Sequence, residues 1–193
     1  MGGANAKGGV GGGSTCEEVL AVVGTSRVTG KRILITGGTS GLGFESARVL
    51  INAGAAVIIT SRTEAQGLAA ADKLGELTGK RSSVRHEVLD LGDLQSVKAC
   101  ATRLLATKEP IDVLMNNAGV MACPHTKTAQ GLEMQFGVNH IGHFLLAKLL
   151  LPLLVAAGTA QIKARVVNLS SMGAYLFAPP EGFYWDDLSG DKH

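Results

Sequence analysis

The sequence predicts an α/β fold built on an open, doubly wound parallel sheet. From Lys31 onward, short runs of β-branched residues alternate with helical stretches, the pattern of repeated strand–helix units. The runs RILIT and VIIT are apolar at successive positions, as in strands that helices cover on both faces. Because crossover connections between parallel strands are right-handed, this order of elements predicts a two-sided sheet. We expect the strand order 3-2-1-4-5, one of the two common orders of such sheets.

Five strands and four main helices account for most of this region. The strands are expected at residues 32–36, 55–60, 83–89, 111–116 and 164–169. The helices are expected near residues 42–53, 63–78, 92–107 and 132–157.

The composition limits the classes of function. The chain has 193 residues, of which 46% are hydrophobic and 18% charged, so it can form a buried core and is not a disordered or acidic solvating segment. A net charge of +2 without blocks of either sign argues against a nucleic-acid partner and favours small molecules or other proteins. Cys16, Cys100 and Cys123 lie far apart, which argues against a disulfide framework or a zinc site. A reducing, cytoplasmic compartment is therefore expected.

Two N-terminal regions precede the predicted domain, which covers residues 31–193. Residues 1–13 are rich in glycine, so we expect a disordered leader there. Residues 14–30 are expected to form a short helix and a linker, because the segment Ser14–Glu18 places hydroxyls three residues before carboxylates, the spacing of a capping box.

No segment has the clean pattern of a transmembrane span. The most apolar stretch, residues 141–158, is interrupted by two polar side chains and a proline, so we interpret it as a buried helix. His140 and His143 within this region are spaced i, i+3 but have no suitable third ligand nearby. The spacing therefore favours a packing role for both histidines over metal binding.

A glycine-rich turn, TGGTSGLG at residues 36–43, lies where the first strand meets the first helix. In such a turn the glycines permit a tight bend and let the backbone approach a pyrophosphate, while the helix N-terminus faces its negative charge. The simpler interpretation, a tight turn without a ligand, fits the glycines but not the strand and amphipathic helix on either side.

The end of the second strand reads Thr60-Ser61-Arg62, where an adenosine ribose is expected to lie. It offers no carboxylate for a free 2′-hydroxyl, and the guanidinium of Arg62 suits a 2′-phosphate. We therefore predict NADP (NADPH) as the coenzyme in preference to NAD, although an exposed arginine after a strand also occurs by chance.

Five motifs in order resemble the short-chain dehydrogenase/reductase family. They are TGGTSGLG, Asp90-Leu91, Asn116-Asn117-Ala118-Gly119, Asn139 within VNHIGHF, and NLSS at residues 168–171. The longer segments GVMACPHTKTAQGLEMQFGVNHIGHFLL and WDDLSGDK are similar to the retinol dehydrogenase and WW-domain oxidoreductase branch. The resemblance implies a Rossmann-type fold and an oxidoreductase that transfers hydride between nicotinamide and a carbonyl or alcohol substrate, a retinoid or another lipophilic molecule among the candidates.

The resemblance also implies roles for individual residues. Together with Arg62, which the 2′-phosphate argument adds, the coenzyme-binding residues would be Gly37, Thr39, Ser40, Gly41, Leu42, Gly43, Asp90, Leu91, Asn117, Ala118 and Gly119. Asn139 would be the catalytic asparagine, and Ser171, rather than Ser170, would hydrogen-bond the substrate carbonyl.

Simpler interpretations of these residues stay open. Asp90 fits equally the cap of the next helix, and Asn116-Asn117 fits a turn. Asn139 fits a buried structural amide. The helix over 132–157, apolar around much of its circumference, suits half of a homodimer interface or ordinary core packing.

The family's Tyr-x-x-x-Lys pair is missing from the sequence. Tyr175 is followed four residues later by Pro179, and Tyr184 by Leu188. We therefore expect a chain cut short before the catalytic pair and the sheet's C-terminal strands, with an exposed apolar edge at its fifth strand and little or no turnover. The alternatives are a non-catalytic NADP-binding interaction protein and a fold of this type bound to another adenine cofactor.

Overall fold

The computed structural model describes residues 10–176, 178–180, 182 and 184–192 of the chain. These residues contain one five-stranded parallel sheet in the order β3-β2-β1-β4-β5, which confirms the predicted fold class and strand order. The strands are β1 (Arg32–Ile35), β2 (Ala56–Ser61), β3 (Val84–Val88), β4 (Val113–Asn116) and β5 (Arg165–Asn168).

Seven α-helical segments accompany the sheet in the described part of the chain. They are α1 (Cys16–Val23), α2 (Gly41–Asn52), α3 (Glu64–Thr78), α4 (Leu94–Thr107), α5 (Met134–Phe136), α6 (His143–Ala157) and α7 (Gly173–Leu176). Short 3₁₀ turns occupy Thr25–Arg27 and Arg81–Ser83. The five strands and the first three main helices differ from their predicted bounds by one or two residues, the usual uncertainty of element ends.

The N-terminal helix α1 begins with the capping box that the sequence predicts. The Thr15 hydroxyl accepts from the Glu18 backbone N–H at 3.2 Å, and the Glu18 carboxylate accepts from the Thr15 N–H at 2.9 Å. This reciprocal pair satisfies two N–H groups that the helix leaves unpaired. Of the expected disordered leader, residues 1–9 lie outside the described residues.

The core lies on both faces of the sheet. On one face α4 and α6 pack over Leu34, and on the other α2 and α3 pack over Ile33 and Ile35, so that alternate residues of β1 belong to different clusters. Leu34 and Ile35 are fully buried, and burying such a side chain stabilises the fold by about 1.5–3 kcal/mol. Helices on both faces of the central strand are the defining feature of a doubly wound sheet.

The fifth strand is exposed, as the sequence predicts. Every residue of β5 is solvent-exposed, with Val166 at 42% and Val167 at 41%. A groove of about 550 Å³ runs between β5 and the end of α6, lined by residues that include Leu151 and Val155.

The long helix expected over 132–157 is present over Met134–Ala157 and contains one irregular turn. Residues Gly137–Gly142 form a π-helical turn between α5 and α6, and this turn contains Asn139. Such turns are rare and are frequent at functional sites.

In the described part of the chain, one continuous helical segment, Met134–Ala157, has the length and apolarity needed to cross a membrane. The mean hydropathy of its most apolar window is 1.7, and 33% of that window is buried inside the protein. Leu146 and Leu150 are fully buried in the cluster beneath α4. Core packing therefore explains part of the apolar character of this segment.

Candidate functional site

A cavity of about 800 Å³ lies at the carboxyl ends of the strands. Its lining includes four segments at the ends of strands: the turn after β1, the end of β2, residues 89–93 after β3 and residues 117–120 after β4. In open parallel sheets this crevice is where ligands bind. The topology thus brings four distant parts of the sequence to one site.

Eleven of the twelve coenzyme-binding residues expected from the sequence line this cavity. They are Gly37, Thr39, Ser40, Leu42, Gly43, Arg62, Asp90, Leu91, Asn117, Ala118 and Gly119. The twelfth, Gly41, is the first residue of α2 and lies between two of them in the chain.

The glycine-rich turn requires glycine for two different reasons. Gly37 has a φ of +66°, in the left-handed region that other residues rarely adopt. A Cβ on Gly43 would lie 2.5 Å from both the Gly37 carbonyl oxygen and the Asn117 amide nitrogen. The turn after β1 and the turn after β4 therefore touch through a glycine that has no room for a side chain.

The N-terminus of α2 has no side chain that caps its free N–H groups or balances its positive helix dipole. Its N-cap residue, Ser40, makes no side-chain capping bond, and the first turn contains no acidic residue. In α3 and α4, by contrast, Thr63 and Asp93 cap the helix with their side chains. The first-turn N–H groups and the helix dipole of α2 are thus available for an anion in the cavity.

Two side chains that line the cavity carry positive charge. They are Arg62, which follows β2, and Lys127, which lies between β4 and α5 and is paired with Asp191 at 2.6 Å. Arg62 is exposed, and among the residues that the structure describes it has no ion-pair partner. Its guanidinium is therefore free to meet an anionic ligand.

Asp90 is placed as a cavity residue and is not the cap of α4. Its Oδ1 accepts from the Gly92 N–H at 2.8 Å, and its own N–H donates to Ser96 Oγ at 2.9 Å. The cap is Asp93, whose Oδ1 accepts from the Gln95 N–H at 2.9 Å. This bond is the main cause that lowers the pKa of the Asp93 carboxyl.

The segment after β4 is tied to the end of β1. The Thr36 hydroxyl accepts from the N–H groups of Asn117 at 2.9 Å and Ala118 at 3.0 Å. The Asn117 side-chain amide donates back to the Thr36 carbonyl at 2.8 Å. Asn116 is the last residue of β4, and Asn117 after it forms part of a wall of the cavity.

Asn139 is exposed, which excludes the interpretation as a buried amide. Its Oδ1 accepts from the Val120 N–H and its Nδ2 donates to the Val120 carbonyl, both at 2.8 Å. The side chain therefore closes a ring of two hydrogen bonds on the cavity wall, beside Gly119.

His143 is buried, and the prediction of a packing role accounts for only part of its environment. Its Nε2 lies 2.8 Å from the Thr36 hydroxyl and its Nδ1 lies 2.9 Å from the Asn139 carbonyl. Burial is the main cause that lowers the pKa of this imidazole below 6.5. His140 is exposed, with ring contacts to Phe136 and Phe144. In the described part of the chain there is no group of three or more His, Cys, Asp or Glu side chains that could hold a metal ion.

Ser171 follows β5 at the exposed edge of the sheet. It is exposed, and its hydroxyl accepts from the Gly173 N–H at 3.0 Å. The cavity lining reaches Leu169 on this side. Ser171, two residues further along, is not among the residues that line the cavity, and the structure does not join it to Asn139. The side chain of Tyr175 lies outside what is described.

Several lining residues have no motif of their own in the sequence. They include Gln66, Lys127, Thr128, Met134 and Val138. Met134 and Val138 are spaced i, i+4, which would have indicated one helix face, but nothing in that spacing says which cavity the face lines.

Comparison with known proteins agrees with this architecture. The family model described as short chain dehydrogenase matches residues 31–184. The chain is 45% identical to mouse (Mus musculus) retinol dehydrogenase 12 over 86% of its own length and 50% of the relative's. It is 41% identical to the chloroplastic short-chain dehydrogenase TIC 32 A of Brassica napus over 95% of its own length and 56% of the relative's.

Solved structures show the same fold. The chain is similar to the Pseudomonas aeruginosa RhlG/NADP active-site complex, with a TM-score of 0.66, 26% identity, and 83% and 62% of the two chains covered. It is also similar to the Brucella melitensis 3-ketoacyl-(acyl-carrier-protein) reductase complexed with NADH, with a TM-score of 0.63, 28% identity, and 79% and 62% covered. The chain spans about half the length of the curated relatives that it matches.

Proposed function

Since the chain belongs to the short-chain dehydrogenase family, in its retinol dehydrogenase-like branch, we propose that its cavity binds NADP(H) as part of an oxidoreductase. When bound, the nicotinamide coenzyme would supply or accept the hydride. The chain's own residues would bind and orient it, and the substrate would be a carbonyl compound or an alcohol.

The residues present fit such a coenzyme. The uncapped N-terminus of α2 and the close approach at Gly43 make a backbone cradle suited to a diphosphate. Asp90 and Leu91 line the cavity where the adenine is expected, and residues 117–119 line it as well. The cradle is the observation that supports binding most strongly, because a side chain at Gly43 would overlap Gly37 and Asn117 and force the two segments apart.

The preference for NADP over NAD rests on Arg62. It is the lining cation without an ion-pair partner among the described residues, and β2 ends in Thr60 and Ser61, not in a carboxylate. A guanidinium pairs well with a phosphate, and a carboxylate would be needed to select a free 2′-hydroxyl. Among the solved relatives, one is a complex with NADP and another a complex with NADH, so the fold alone does not select the coenzyme.

Titration calorimetry with NADPH and NADH tests this proposal. We expect the wild-type chain to bind NADPH about tenfold or more tightly than NADH, since hydrogen bonds to charged groups contribute about 1.5–3 kcal/mol. Arg62→Leu should remove this difference by weakening NADPH alone. Arg27→Leu, which changes an exposed arginine outside the cavity, is the matched control and should leave both affinities unchanged. Equal binding of the two coenzymes by the wild-type chain would defeat the assignment to NADP.

Catalysis by these 193 residues is expected to be weak. We propose that Ser171 polarises the substrate carbonyl and that Asn139 supports proton transfer in the family's reaction. The sequence, however, holds no tyrosine followed four residues later by lysine. Loss of a general acid costs about 10²–10⁴ in rate. A second function, NADP binding without turnover, follows from the same observation.

Steady-state assays separate these two functions. Coenzyme binding without detectable reduction of a retinal or another lipophilic aldehyde would favour the binding module. Turnover at a rate typical of enzymes, about 1–10³ s⁻¹, would contradict the expectation of a nearly inactive chain.

We further propose a homodimer through the exposed side of α6 and a cytoplasmic location. Phe144 is 60%, Leu151 51% and Val155 73% exposed along one side of this helix, and an apolar surface of this kind suits a subunit interface. Sedimentation of wild-type and Val155→Glu chains tests the dimer. Cell fractionation tests the location, where recovery with membranes would favour the apolar helix as an anchor.

A further inference from the structure

The hydrogen bonds of His143 extend to both ends of the cavity wall formed by residues 117–120. His143 Nε2 contacts the Thr36 hydroxyl, and that hydroxyl holds the N–H groups of Asn117 and Ala118. His143 Nδ1 contacts the carbonyl of Asn139, whose side chain holds Val120 from the other end. One buried imidazole therefore contacts both of the residues, Thr36 and Asn139, that bind the wall.

The chemistry of the partners fixes where the protons are. A carbonyl oxygen only accepts, so His143 Nδ1 must carry the proton that it donates to Asn139. In the neutral imidazole, Nε2 then has a lone pair, and the Thr36 hydroxyl donates to it at 2.8 Å. The two lone pairs of the same hydroxyl remain for the two N–H groups of the wall.

Without this acceptor the Thr36 proton would have one alternative. The Met115 carbonyl lies 3.4 Å from the hydroxyl, longer than an ordinary O–H···O bond. Turning the proton towards Met115 would also turn the lone pairs away from their present directions. The imidazole therefore decides how the hydroxyl meets the N–H groups of Asn117 and Ala118.

One end of this hydrogen-bond network lies in the π-helical turn. The carbonyl of Asn139 lies within this turn and takes the imidazole Nδ1–H, which belongs to the first residue of α6. The turn aims the Asn139 side chain at Val120 and the His143 ring at Thr36, 107 positions away in the sequence.

We propose that His143 is a positioning residue for coenzyme binding, which holds the 117–120 wall through Thr36 and Asn139. The inference rests on the proposed function, because it takes the cavity to be the coenzyme site. His143 itself does not touch the coenzyme.

The test combines amide hydrogen exchange with NADPH titration on the full 193-residue chain. His143→Leu keeps an apolar side chain of similar bulk and removes both bonds. We expect exchange at Asn117, Ala118 and Val120 to speed up, and the Kd for NADPH to rise, by about tenfold, as the loss of two hydrogen bonds implies. His140→Leu, three residues earlier and outside the network, should change neither by more than about twofold.

Two polar variants separate the effect of the bond to Thr36 from that of the bond to Asn139. They test the proposal even where His143→Leu fails to fold. The amide of His143→Gln reaches the position of Nε2, so exchange at Asn117 and Ala118 should stay close to wild type while exchange at Val120 speeds up. The amide of His143→Asn reaches the position of Nδ1, so the opposite pattern is expected. NADPH affinity should also differ between the two variants.

Three outcomes would overturn the inference. In the first, the wild-type chain binds NADPH, and His143→Leu and His143→Asn leave both the NADPH affinity and the amide exchange unchanged. This result would overturn the role of His143 but not the proposed function. A uniform increase of exchange across the whole sheet, equal in the Gln and Asn variants, would reduce His143 to a general stabilising residue. A folded wild-type chain that ignores NADPH would overturn the proposed function and this inference with it.

Discussion

The strands β1 and β5 belong to the same sheet but have opposite surroundings. Three of the four residues of β1 are buried between helices on both faces, whereas all four residues of β5 are exposed. The glycine turn and Thr36 follow β1, and Ser171 follows β5. In the described residues, the part of the site expected to bind coenzyme thus follows a buried strand, and the part expected to bind substrate follows an exposed edge strand.

The contrast between β1 and β5 separates coenzyme binding from turnover. The centre of the sheet positions groups through buried contacts and short hydrogen bonds, which hold them in one arrangement. At β5 the described residues provide one neighbouring strand and a groove of about 550 Å³ beside α6. We therefore expect coenzyme binding to depend on the centre, and turnover to be limited at the edge.

The largest expected effect is on stability, and substitutions of two leucines, one at the centre of the sheet and one at its edge, test it. Leu34 in β1 is 0% exposed, and Leu169 just after β5 is 42% exposed. Leu34→Ala should lower the free energy of unfolding in urea by about 2–5 kcal/mol, the cost of a buried cavity. Leu169→Ala, the same substitution at the edge, should cost less than about 1 kcal/mol. Equal losses would show that the edge is as well packed as the centre.

Gly43→Ala tests the contact between the two turns. The new methyl would overlap the Gly37 carbonyl and the Asn117 amide, so the turns must move apart. We expect NADPH affinity to fall by more than about tenfold, or more than about 1.4 kcal/mol. Gly12→Ala, where a Cβ would meet nothing within 4 Å, is the control. Undiminished binding by Gly43→Ala in fluorescence titrations would contradict the close packing of the cradle.

A smaller effect is expected from pH. Burial lowers the pKa of His143 in the folded chain below its usual 6.5, and the charge of His140 acts in the same direction. The unfolded chain therefore binds the proton more readily, so stability is full above about pH 6.5 and falls as pH drops towards the folded-state pKa. The slope from this group is at most about 1.4 kcal/mol per pH unit.

Chemical denaturation at several pH values measures this slope. The difference between the wild-type chain and His143→Gln isolates His143, since the carboxylates that titrate in the same range are common to both. Parallel pH profiles for the two proteins would contradict the buried, neutral state of the imidazole.

Much of the centre of the sheet could be predicted from the sequence because its signals are local. Apolar runs located the strands, and the glycine turn between a strand and a helix located the cradle. The capping box of Thr15 and Glu18 required only a spacing of three residues.

The parts that could not be predicted depend on tertiary contacts. The hydrogen bond between His143 and Thr36 exists because Thr36 lies against α6, and no local spacing encodes a contact over 107 positions. The π-helical turn has no signal in the sequence pattern either. From the sequence, the apolar residues around His143 favoured a packing role, because the contact with Thr36 is not visible there. Asn139 was expected at the site from resemblance, but its ring of bonds with Val120 became visible only in three dimensions.

The central claim is that the turn at residues 36–43 holds the diphosphate of a pyridine dinucleotide. Two-dimensional NMR of the uniformly ¹⁵N-labelled chain, titrated with NADPH, tests it most directly. The account predicts that the largest shifts occur at the amides of Gly41, Leu42 and Gly43, with smaller ones at residues 117–119. Shifts confined to the groove beside β5, or none at millimolar NADPH in a folded sample, would contradict it.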